Sequence, residues 1–499
     1  MEADTARMNP TELVALSATA LSTAIHARSV SCREVMQAYL AQIARFNPQV
    51  NALVSLQDPE RLLAEADRHD EALRRGESMG WMHGFPQAPK DLAATAGIPT
   101  TMGFRALAQH VPPHDAWVVE RMRRAGAIFV GKSNTPEFGL GSHTYNGVFG
   151  ATRNAWDPAR SAGGSSGGAA AALALRMLPV ADGSDMMGSL RNPAGWQHIY
   201  GMRPSMGLVP HGPADELFFQ QLGTEGPMGR TPQDVAMLLS VQAGPDPRAP
   251  LSQNGDPARF AAPLARDFAG TRIGWLGDYG GRLPMEAGVL SLCQASLRHF
   301  EDIGCTVEDA RPDFDMERLW RTWLTLRSFL VAGRLRPVYA DARQRALLKP
   351  EAIWEIEQGR HLDAQAVYRA TCDRSAWYGA LGRLFERCDY LVLPSAQVFP
   401  FDVDIAWPKE VGGRAMDTYH RWMEVVIGGT LAGLPVIAVP AGFNAEGLPM
   451  GLQIMGRPRA DLEVLQIADA WHRAVPFADR RPPMLDAHGM HTGGSKDPA

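Results

Sequence analysis

Two amphipathic helices are predicted near the start of the chain from the spacing of its apolar residues. Ser31 and Glu34 form the pattern of a capping box at the start of the first helix, predicted over 32–46. The apolar residues of this segment recur every three or four positions and share one face: Val35, Tyr39, Ile43 and Phe46. A second helix is predicted over 59–75, before a glycine-containing loop.

Farther along, segments with strand-like and helix-like patterns alternate. Helices are predicted near 115–125 and over 169–177 and 285–301, and strands over 127–132, 272–278, 390–394, 435–443 and 451–456. This alternation predicts an α/β fold, a central sheet with helices on both faces. No linker or repeat interrupts residues 1–480, so we expect one large domain there and a disordered tail over 481–499.

Composition and charge argue against several classes of protein. The 499 residues are 45% hydrophobic and 21% charged, which is typical of a globular chain. The net charge is −5 and the basic residues are scattered, so we expect a small-molecule substrate rather than nucleic acid or a membrane as partner. The acidic, polar start and the lack of an apolar run of about 20 residues predict a cytoplasmic protein. We expect a monomer or a homodimer.

Cysteine and histidine patterns give no sign of a metal centre. The five cysteines form no C-x-x-C pair, and their odd, sparse distribution predicts reduced and mostly buried thiols. No H-E-x-x-H or Cys/His cluster is present in the sequence. We therefore expect neither a metal nor a cofactor.

Two serines flanked by glycines are the candidates for chemistry. Ser165 lies in GGSSGG (163–168), and Ser189 lies 24 positions later in GSDMMGSLRNP (183–193). Glycine-rich backbone can approach a ligand closely and direct several N–H groups at an oxyanion. Both segments therefore suit acyl-transfer chemistry.

The residues alone leave alternatives open for this region. GGSSGG is compatible with an ordinary loop or, less well, with a phosphate cradle at a helix start, because the usual phosphate-loop spacings are absent. It also fits a G-x-S-x-G nucleophile elbow, with Ser165 as nucleophile and a later histidine, His198 or His420, as base.

Several motifs in order resemble the amidase signature family. They are HGFPQAPKD (83–91), GKSNTPEFG (131–139), GATRNAWDP (150–158), SAGGSSGGAAAA (161–172) and GSDMMGSLRNPAG (183–195). The segments 31–54 and 432–456 also resemble the first helix and the C-terminal strand pair of that family. The resemblance implies one amidase signature domain over 1–480, with a mixed, twisted central sheet and a catalytic core at about 80–200.

The resemblance also implies roles for individual residues. Lys90 corresponds to the base, Ser165 to the bridging serine and Ser189 to the nucleophile. A cis peptide is implied between Gly164 and Ser165. The remaining implied site residues are the oxyanion-binding backbone N–H groups of Met186, Met187, Gly188 and Ser189, and the loop-supporting residues Gly164, Ser166, Asp185 and Arg191.

These residue types suit the implied reaction. A lysine acts as a base only when neutral, and burial disfavours its ammonium form. Neutral Lys90 would take a proton from Ser165, which would take one from Ser189 as its oxygen attacks a carbonyl carbon. The Ser189 acyl-enzyme would then be hydrolysed by water.

Two positions depart from the family pattern. Met187 stands where a glycine is common, so we expect either an altered loop or, preferably, a methionine side chain that enters the substrate pocket. Pro89 removes a backbone donor just before Lys90, which is harmless at an unpaired position.

The sequence thus predicts an amidase, a hydrolase of C–N bonds other than peptide bonds. Hydrophobic or aryl amides are the expected substrates, with esters and carbamates (urethanes) as further candidates. The alternative is a glutaminase-type amidase subunit of a tRNA-dependent amidotransferase. A third class is a binding protein that has lost its chemistry, which the intact catalytic positions disfavour.

Overall fold

The computed structural model describes residues 8–219 and 222–486. Its α-helices are Pro10–Ala15 (α1), Ala18–His26 (α2), Cys32–Val50 (α3), Pro59–Arg74 (α4), Trp117–Arg124 (α5), Gly167–Ala174 (α6), Arg191–Gln197 (α7), Pro232–Gln242 (α8), Val289–Ser296 (α9), Arg298–Asp302 (α10), Met316–Ala340 (α11), Ala342–Arg345 (α12), Pro350–Arg360 (α13), Ala364–Phe385 (α14), Ile427–Ala432 (α15), Asp461–Ala474 (α16) and Pro483–Asp486 (α17).

The strands are Leu53–Val54 (β1), Pro86–Gln87 (β2), Ile128–Phe129 (β3), Lys132–Ser133 (β4), Tyr145–Asn146 (β5), Gly150–Ala151 (β6), Ala181–Asp185 (β7), Tyr200–Arg203 (β8), Thr224–Gly229 (β9), Arg272–Trp275 (β10), Thr306–Asp309 (β11), Tyr390–Pro394 (β12), Glu410–Val411 (β13), Arg414–Ala415 (β14), Val436–Phe443 (β15) and Pro449–Met455 (β16).

An eight-stranded mixed sheet organises the described residues, in the order β11-β10-β12-β16-β15-β8-β9-β7. Strand β10 pairs in parallel with β11 and β12, whereas the remaining neighbours are antiparallel. Helices α7, α8, α9 and α16 pack against its strands. The predicted α/β fold with a mixed central sheet is confirmed.

Local signals located most of the predicted elements. Ser31 and Glu34 form the predicted capping box of α3, which continues four residues past the predicted end to Val50. The single strand predicted over 127–132 is instead two short strands, β3 and β4, with different partners. The helix predicted over 285–301 is likewise two helices, α9 and α10.

A small apolar cluster joins α11 and α13 to the segment that follows β4. Phe138 and Leu140 come from that segment, Val331 and Leu335 come from α11, and Ile356 comes from α13. Burial of such side chains stabilises by about 1.5–3 kcal/mol each. The cluster therefore holds the helical hairpin against the segment that follows β4.

The C-terminal segment differs from the expectation of a disordered tail. Pro483–Asp486 form α17, and Leu485 is buried. An apolar side chain that reaches the core orders the backbone around it. The rest of the predicted tail, 487–499, lies outside the described residues.

Within the described ranges, no helix is long and apolar enough to cross a membrane.

Candidate active site

Lys90 occupies a fully interior position beside β4. Its backbone bridges to Ser133, and its N–H donates to Asp182 Oδ2 at 3.1 Å. Pro89 lacks an N–H, but its carbonyl still accepts from the Ser133 amide at 3.1 Å. These hydrogen bonds fix the backbone on both sides of the Pro89–Lys90 peptide bond. Lys90 itself is only 1% exposed.

The Lys90 amine is surrounded by serine oxygens. Its Nζ lies 2.8 Å from Ser165 Oγ, 2.9 Å from Ser166 Oγ and 3.1 Å from Ser184 Oγ. The Gly164–Ser165 peptide is cis, as expected. Ser166 was expected to support the loop, and here its hydroxyl contacts the amine directly.

Ser184 is a site residue that the sequence analysis missed. It lies in β7 immediately before Asp185, and its carbonyl and hydroxyl both contact the Lys90 amine. A small polar residue directly before the conspicuous Asp185 was the available signal. Its contact with Lys90 depends on how β7 packs beside the GGSSGG segment.

Burial makes this lysine suited to act as a base. It lowers the pKa of Lys90 to about 7, although the negative charges of Glu225, Asp185 and Asp182 work in the opposite direction. Serine hydroxyls offer hydrogen bonds without a counter-charge. A substantial fraction of Lys90 is therefore neutral near neutral pH.

The loop that carries Ser189 is built around the carboxylate of Asp185. That carboxylate accepts from the backbone N–H groups of Gly188 at 2.9 Å and Leu190 at 3.2 Å. Arg191 donates to both carboxylate oxygens at 2.9 Å, and Arg203 lies 3.5 Å away. Burial alone raises the pKa of Asp185, but the two arginines outweigh it and hold that pKa well below its usual range.

The expected set of oxyanion donors is reduced by one in this structure. The Gly188 N–H donates to Asp185 Oδ1 at 2.9 Å and is therefore already hydrogen-bonded. The amides of Met186, Met187 and Ser189 donate to no other group among the described residues. Three of the four expected donors thus remain free, because one is needed to hold the loop in shape.

The expectation that Met187 enters the substrate pocket is wrong. Met187 is 4% exposed and belongs to the main hydrophobic core, and its backbone does not have a positive φ. The positive φ of this loop falls instead on Gly188, at 77°. Met186, the preceding residue, is the methionine that lines the cavity.

Ser165 and Ser189 line one cavity of about 110 Å³. Their hydroxyl groups make no hydrogen bond to each other in this structure, although the Ser166 amide donates to the Ser189 carbonyl at 3.3 Å. The apolar residues that line the cavity are Leu92, Phe138, Leu140, Met186 and Val331. Its lining also includes the polar and charged residues His211, Glu225, Arg327 and Arg334.

Comparison with known proteins identifies the family of this chain. The family model described as amidase matches residues 34–465. This chain belongs to the amidase signature family. It is therefore a hydrolase acting on C–N bonds.

Individual relatives of this amidase cover almost its whole length. An acylamidase of Rhodococcus erythropolis is 33% identical over 478 residues, spanning 94% of this chain and 97% of the relative. A glutamyl-tRNA(Gln) amidotransferase subunit of Chloroflexus aurantiacus is 34% identical over 499 residues, spanning 95% and 100%. The crystal structure of a bacterial aryl acylamidase of the family superposes with a TM-score of 0.86 at 28% identity, covering 92% of this chain and 96% of that one.

The cavity of this amidase contains charged residues that sequence reasoning did not identify. Glu225 lies opposite Ser184 in the β7–β9 pair, and His211 Nδ1 is 3.1 Å from its carboxylate. Arg327 on α11 pairs with Glu355 on α13 and donates to Tyr419 Oη at 2.7 Å. These residues come from segments far apart in the chain, which carry no local motif.

The histidines of the rival nucleophile-elbow interpretation do not reach the serines. His198 Nε2 lies 2.8 Å from the Phe477 carbonyl, on a different cavity. His420 is 1% exposed among aromatic rings, with neither ring nitrogen hydrogen-bonded to a described residue. Neither lines the cavity of Ser165 and Ser189.

The cysteines and acidic groups of this amidase form no further centre in the described ranges. All five thiols are free, and four of them are buried. No cluster of three or more His, Cys, Asp or Glu side chains is placed there to hold a metal ion.

Proposed function

We propose that this amidase hydrolyses carboxylic amides through an acyl-enzyme on Ser189, with Ser165 as proton relay and Lys90 as base. The observation that carries the proposal is the buried Lys90 amine 2.8 Å from Ser165 Oγ, beside a cavity that Ser165 shares with Ser189. Neutral Lys90 accepts the proton of Ser165, which accepts the proton of Ser189 as its oxygen attacks the carbonyl carbon. Ser165 then returns a proton to the leaving amine, and water releases the acid.

The free amides of Met186, Met187 and Ser189 supply hydrogen bonds for the oxyanion in this mechanism. Such donors are preorganised, because Asp185 fixes the loop before substrate arrives. In other hydrolases one donor contributes about 3–4 kcal/mol of transition-state stabilisation.

The preferred substrates are amides with a hydrophobic or aryl group. The apolar residues in the lining of the cavity, including Phe138, Met186 and Val331, suit such a group. The relationships to an acylamidase and to an aryl acylamidase structure point the same way. Aryl esters and aryl carbamates place a carbonyl beside a similar ring, so the same acyl-enzyme chemistry extends to them.

A hydrolysis screen tests this proposal. Aliphatic amides, anilides, aryl esters and aryl carbamates are offered to the purified enzyme, to Ser189→Ala, to Lys90→Ala and to the matched surface control Ser291→Ala. Anilide hydrolysis is expected for the wild type and the control, with a loss of about 10³-fold or more in Ser189→Ala. Near wild-type turnover by both Ser189→Ala and Lys90→Ala would contradict the mechanism.

One observation favours the second candidate function, that of a glutaminase-type subunit. Glu225 and Arg334 both line the cavity, so opposite charges are available for the amino and carboxylate groups of glutamine. Relatedness to the glutamyl-tRNA(Gln) amidotransferase of Chloroflexus aurantiacus supports the same candidate. Two results together would favour this candidate. The purified chain would hydrolyse no anilide, and it would hydrolyse glutamine only in the presence of a partner protein.

A further inference from the structure

A second cavity, of about 260 Å³, lies away from the catalytic serines and is rich in arginine. We call it the arginine cavity, defined by the lining residues Arg176, Arg230, Arg480, Arg481, His198 and Asp479. The lining therefore contains four arginines and one aspartate. Arg481 also lies 3.5 Å from Asp486 Oδ1, which still leaves a surplus of positive charge.

Arg176 is the most distinctive member of this cavity. It follows α6 with a φ of 58°, and its side chain makes no hydrogen bond or ion pair with a described residue. Its Nη1 is fully buried, and so is the unpartnered Nε of Arg230. Buried charged donors without partners are costly, so proteins normally pair them.

Neighbouring arginines add to the unbalanced positive charge around Arg176. Arg230 and Arg481 lie close enough to Arg176 to lower its pKa, to about 10, together with the larger effect of burial. Arg230 donates to the Ala15 carbonyl at 3.2 Å and also to Leu16, and Arg480 lies 4.0 Å over the Phe443 ring. The C-terminal ends of α6 and α7 and the N-terminal end of α8 contribute partial charges of opposite sign, which offset one another in part.

We propose that the arginine cavity binds a small, multiply charged oxyanion of the phosphate class, either free phosphate or a phosphate monoester. Guanidinium groups present paired N–H donors that match phosphate oxygens. A water molecule takes about 30 Å³ of liquid. The cavity therefore has room for a phosphate group with a few additional atoms.

The position of the cavity links it to the catalytic loops. Helix α6 begins at Gly167, two residues after Ser165, and α7 begins at Arg191, two residues after Ser189. Both helices end at the arginine cavity, where Ala174, Arg176, Gln197 and His198 line it. An anion bound there would join the far ends of the two helices whose first residues follow the catalytic serines.

Phosphate titrations at constant ionic strength test the proposal. The thermal midpoint and heat of binding are measured for the wild type, for Arg176→Gln and for Arg68→Gln, an exposed control on α4 with the same charge change. Saturable stabilisation by inorganic phosphate, and not by chloride, is expected for the wild type and Arg68→Gln. Arg176→Gln is expected to raise Kd about tenfold or more.

The sign of the stability change separates a ligand site from a structural role. Without phosphate, Arg176→Gln should be as stable as the wild type or more stable, because it removes an unpaired buried charge. Amide hydrolysis at low phosphate should be unchanged, since Arg176 is outside the catalytic cavity. Arg481→Gln serves as the second variant if Arg176→Gln does not fold.

Two phosphate sources are compared in the same assay. Tighter binding of glycerol phosphate than of inorganic phosphate would assign the cavity to monoesters, and the reverse order would assign it to the free ion. Absence of saturable binding by the wild type, or identical titrations for the wild type, Arg176→Gln and Arg481→Gln, would overturn the proposal.

Discussion

Lys90 shows how a single residue acquires its chemistry from its surroundings. In water its amine would be almost wholly protonated at neutral pH. In the folded chain, burial lowers its pKa to about 7. The serine hydroxyls that surround it offer no compensating negative charge.

Activity is therefore expected to rise with pH through this value. Because the proposed base must be neutral, kcat/KM should increase as Lys90 loses its proton, with a midpoint at about pH 7, and then level off. Initial rates on one anilide across pH 5–9 measure it. A flat profile over that range would exclude Lys90 as the titrating base.

The same pKa predicts a pH-dependent stability. Between the folded pKa of about 7 and the unfolded value of about 10.4, the unfolded chain binds more protons, so the free energy of unfolding rises with pH. The slope from this group is at most about 1.4 kcal/mol per pH unit. Urea denaturation measures the free energy of unfolding of the wild type and of Lys90→Met. From pH 7 to 10 this free energy should increase more for the wild type than for Lys90→Met, and the same pH dependence in both proteins would contradict the prediction.

The adjacent methionines are expected to respond differently to truncation. Met187 is buried in the core, so Met187→Ala should lower the free energy of unfolding by about 2–5 kcal/mol without changing the relative rates on small and aryl amides. Met186 lines the cavity, so Met186→Ala should change those relative rates. Urea denaturation and paired kinetics measure both effects, and the opposite assignment of effects would contradict the structure.

At the scale of elements, the site depends on how closely α6 approaches its neighbours. Gly168 is the second residue of α6 and lies three positions after Ser165, and a Cβ there would lie 2.3 Å from the Asn134 amide nitrogen and 2.5 Å from the Ala52 carbonyl. Both groups are backbone and cannot swing away. The glycine therefore permits the contact that positions Ser165.

Two helical glycines should give substitutions of opposite sign. Gly168→Ala should destabilise by about 1–3 kcal/mol and reduce turnover, because α6 must shift. Gly382→Ala, in α14 with open space around it, should stabilise by about 0.5–1 kcal/mol and leave turnover unchanged. Urea denaturation compares the two, and equal effects would contradict the packing described for α6.

At the scale of the whole molecule, a buried polar cluster of Arg327, Glu355 and Tyr419 joins distant segments. Tyr419 Oη accepts from Arg327 at 2.7 Å and donates to Glu355 at 2.8 Å, linking its loop to α11 and α13. Arg327 itself lines the cavity. Tyr419 lies more than sixty positions along the chain from both of its partners, one of which lines the cavity.

Removing the Tyr419 hydroxyl should weaken this polar cluster. Tyr419→Phe leaves Arg327 and Glu355 with one partner fewer and should lower the free energy of unfolding by about 1–3 kcal/mol. Tyr378→Phe, whose side chain is 47% exposed, is the matched control and should change it by less than about 0.5 kcal/mol. Similar losses in the two variants would show that the cluster contributes nothing specific.

Local patterns predicted the positions of helices and strands better than the pairing between strands. The capping box of α3 and the strand at Tyr390–Pro394 were located from a few neighbouring residues. The division of 127–132 into β3 and β4 was not predicted, because it depends on the pairing of β3 with β2 and of β4 with β1. The long helices α11, α13 and α14 also escaped prediction.

The sequence by itself determined the fold class and the family and pointed to Lys90, Ser165 and Ser189 as candidates, because each of these predictions depends on motifs within short stretches of chain. The tertiary structure decided which side chains surround them. The contact of Ser184 with the amine, and the presence of Met186 rather than Met187 and of Glu225 in the cavity lining, arise from strand register and helix packing. Contacts between distant segments have no local signal, so only the folded chain reveals them.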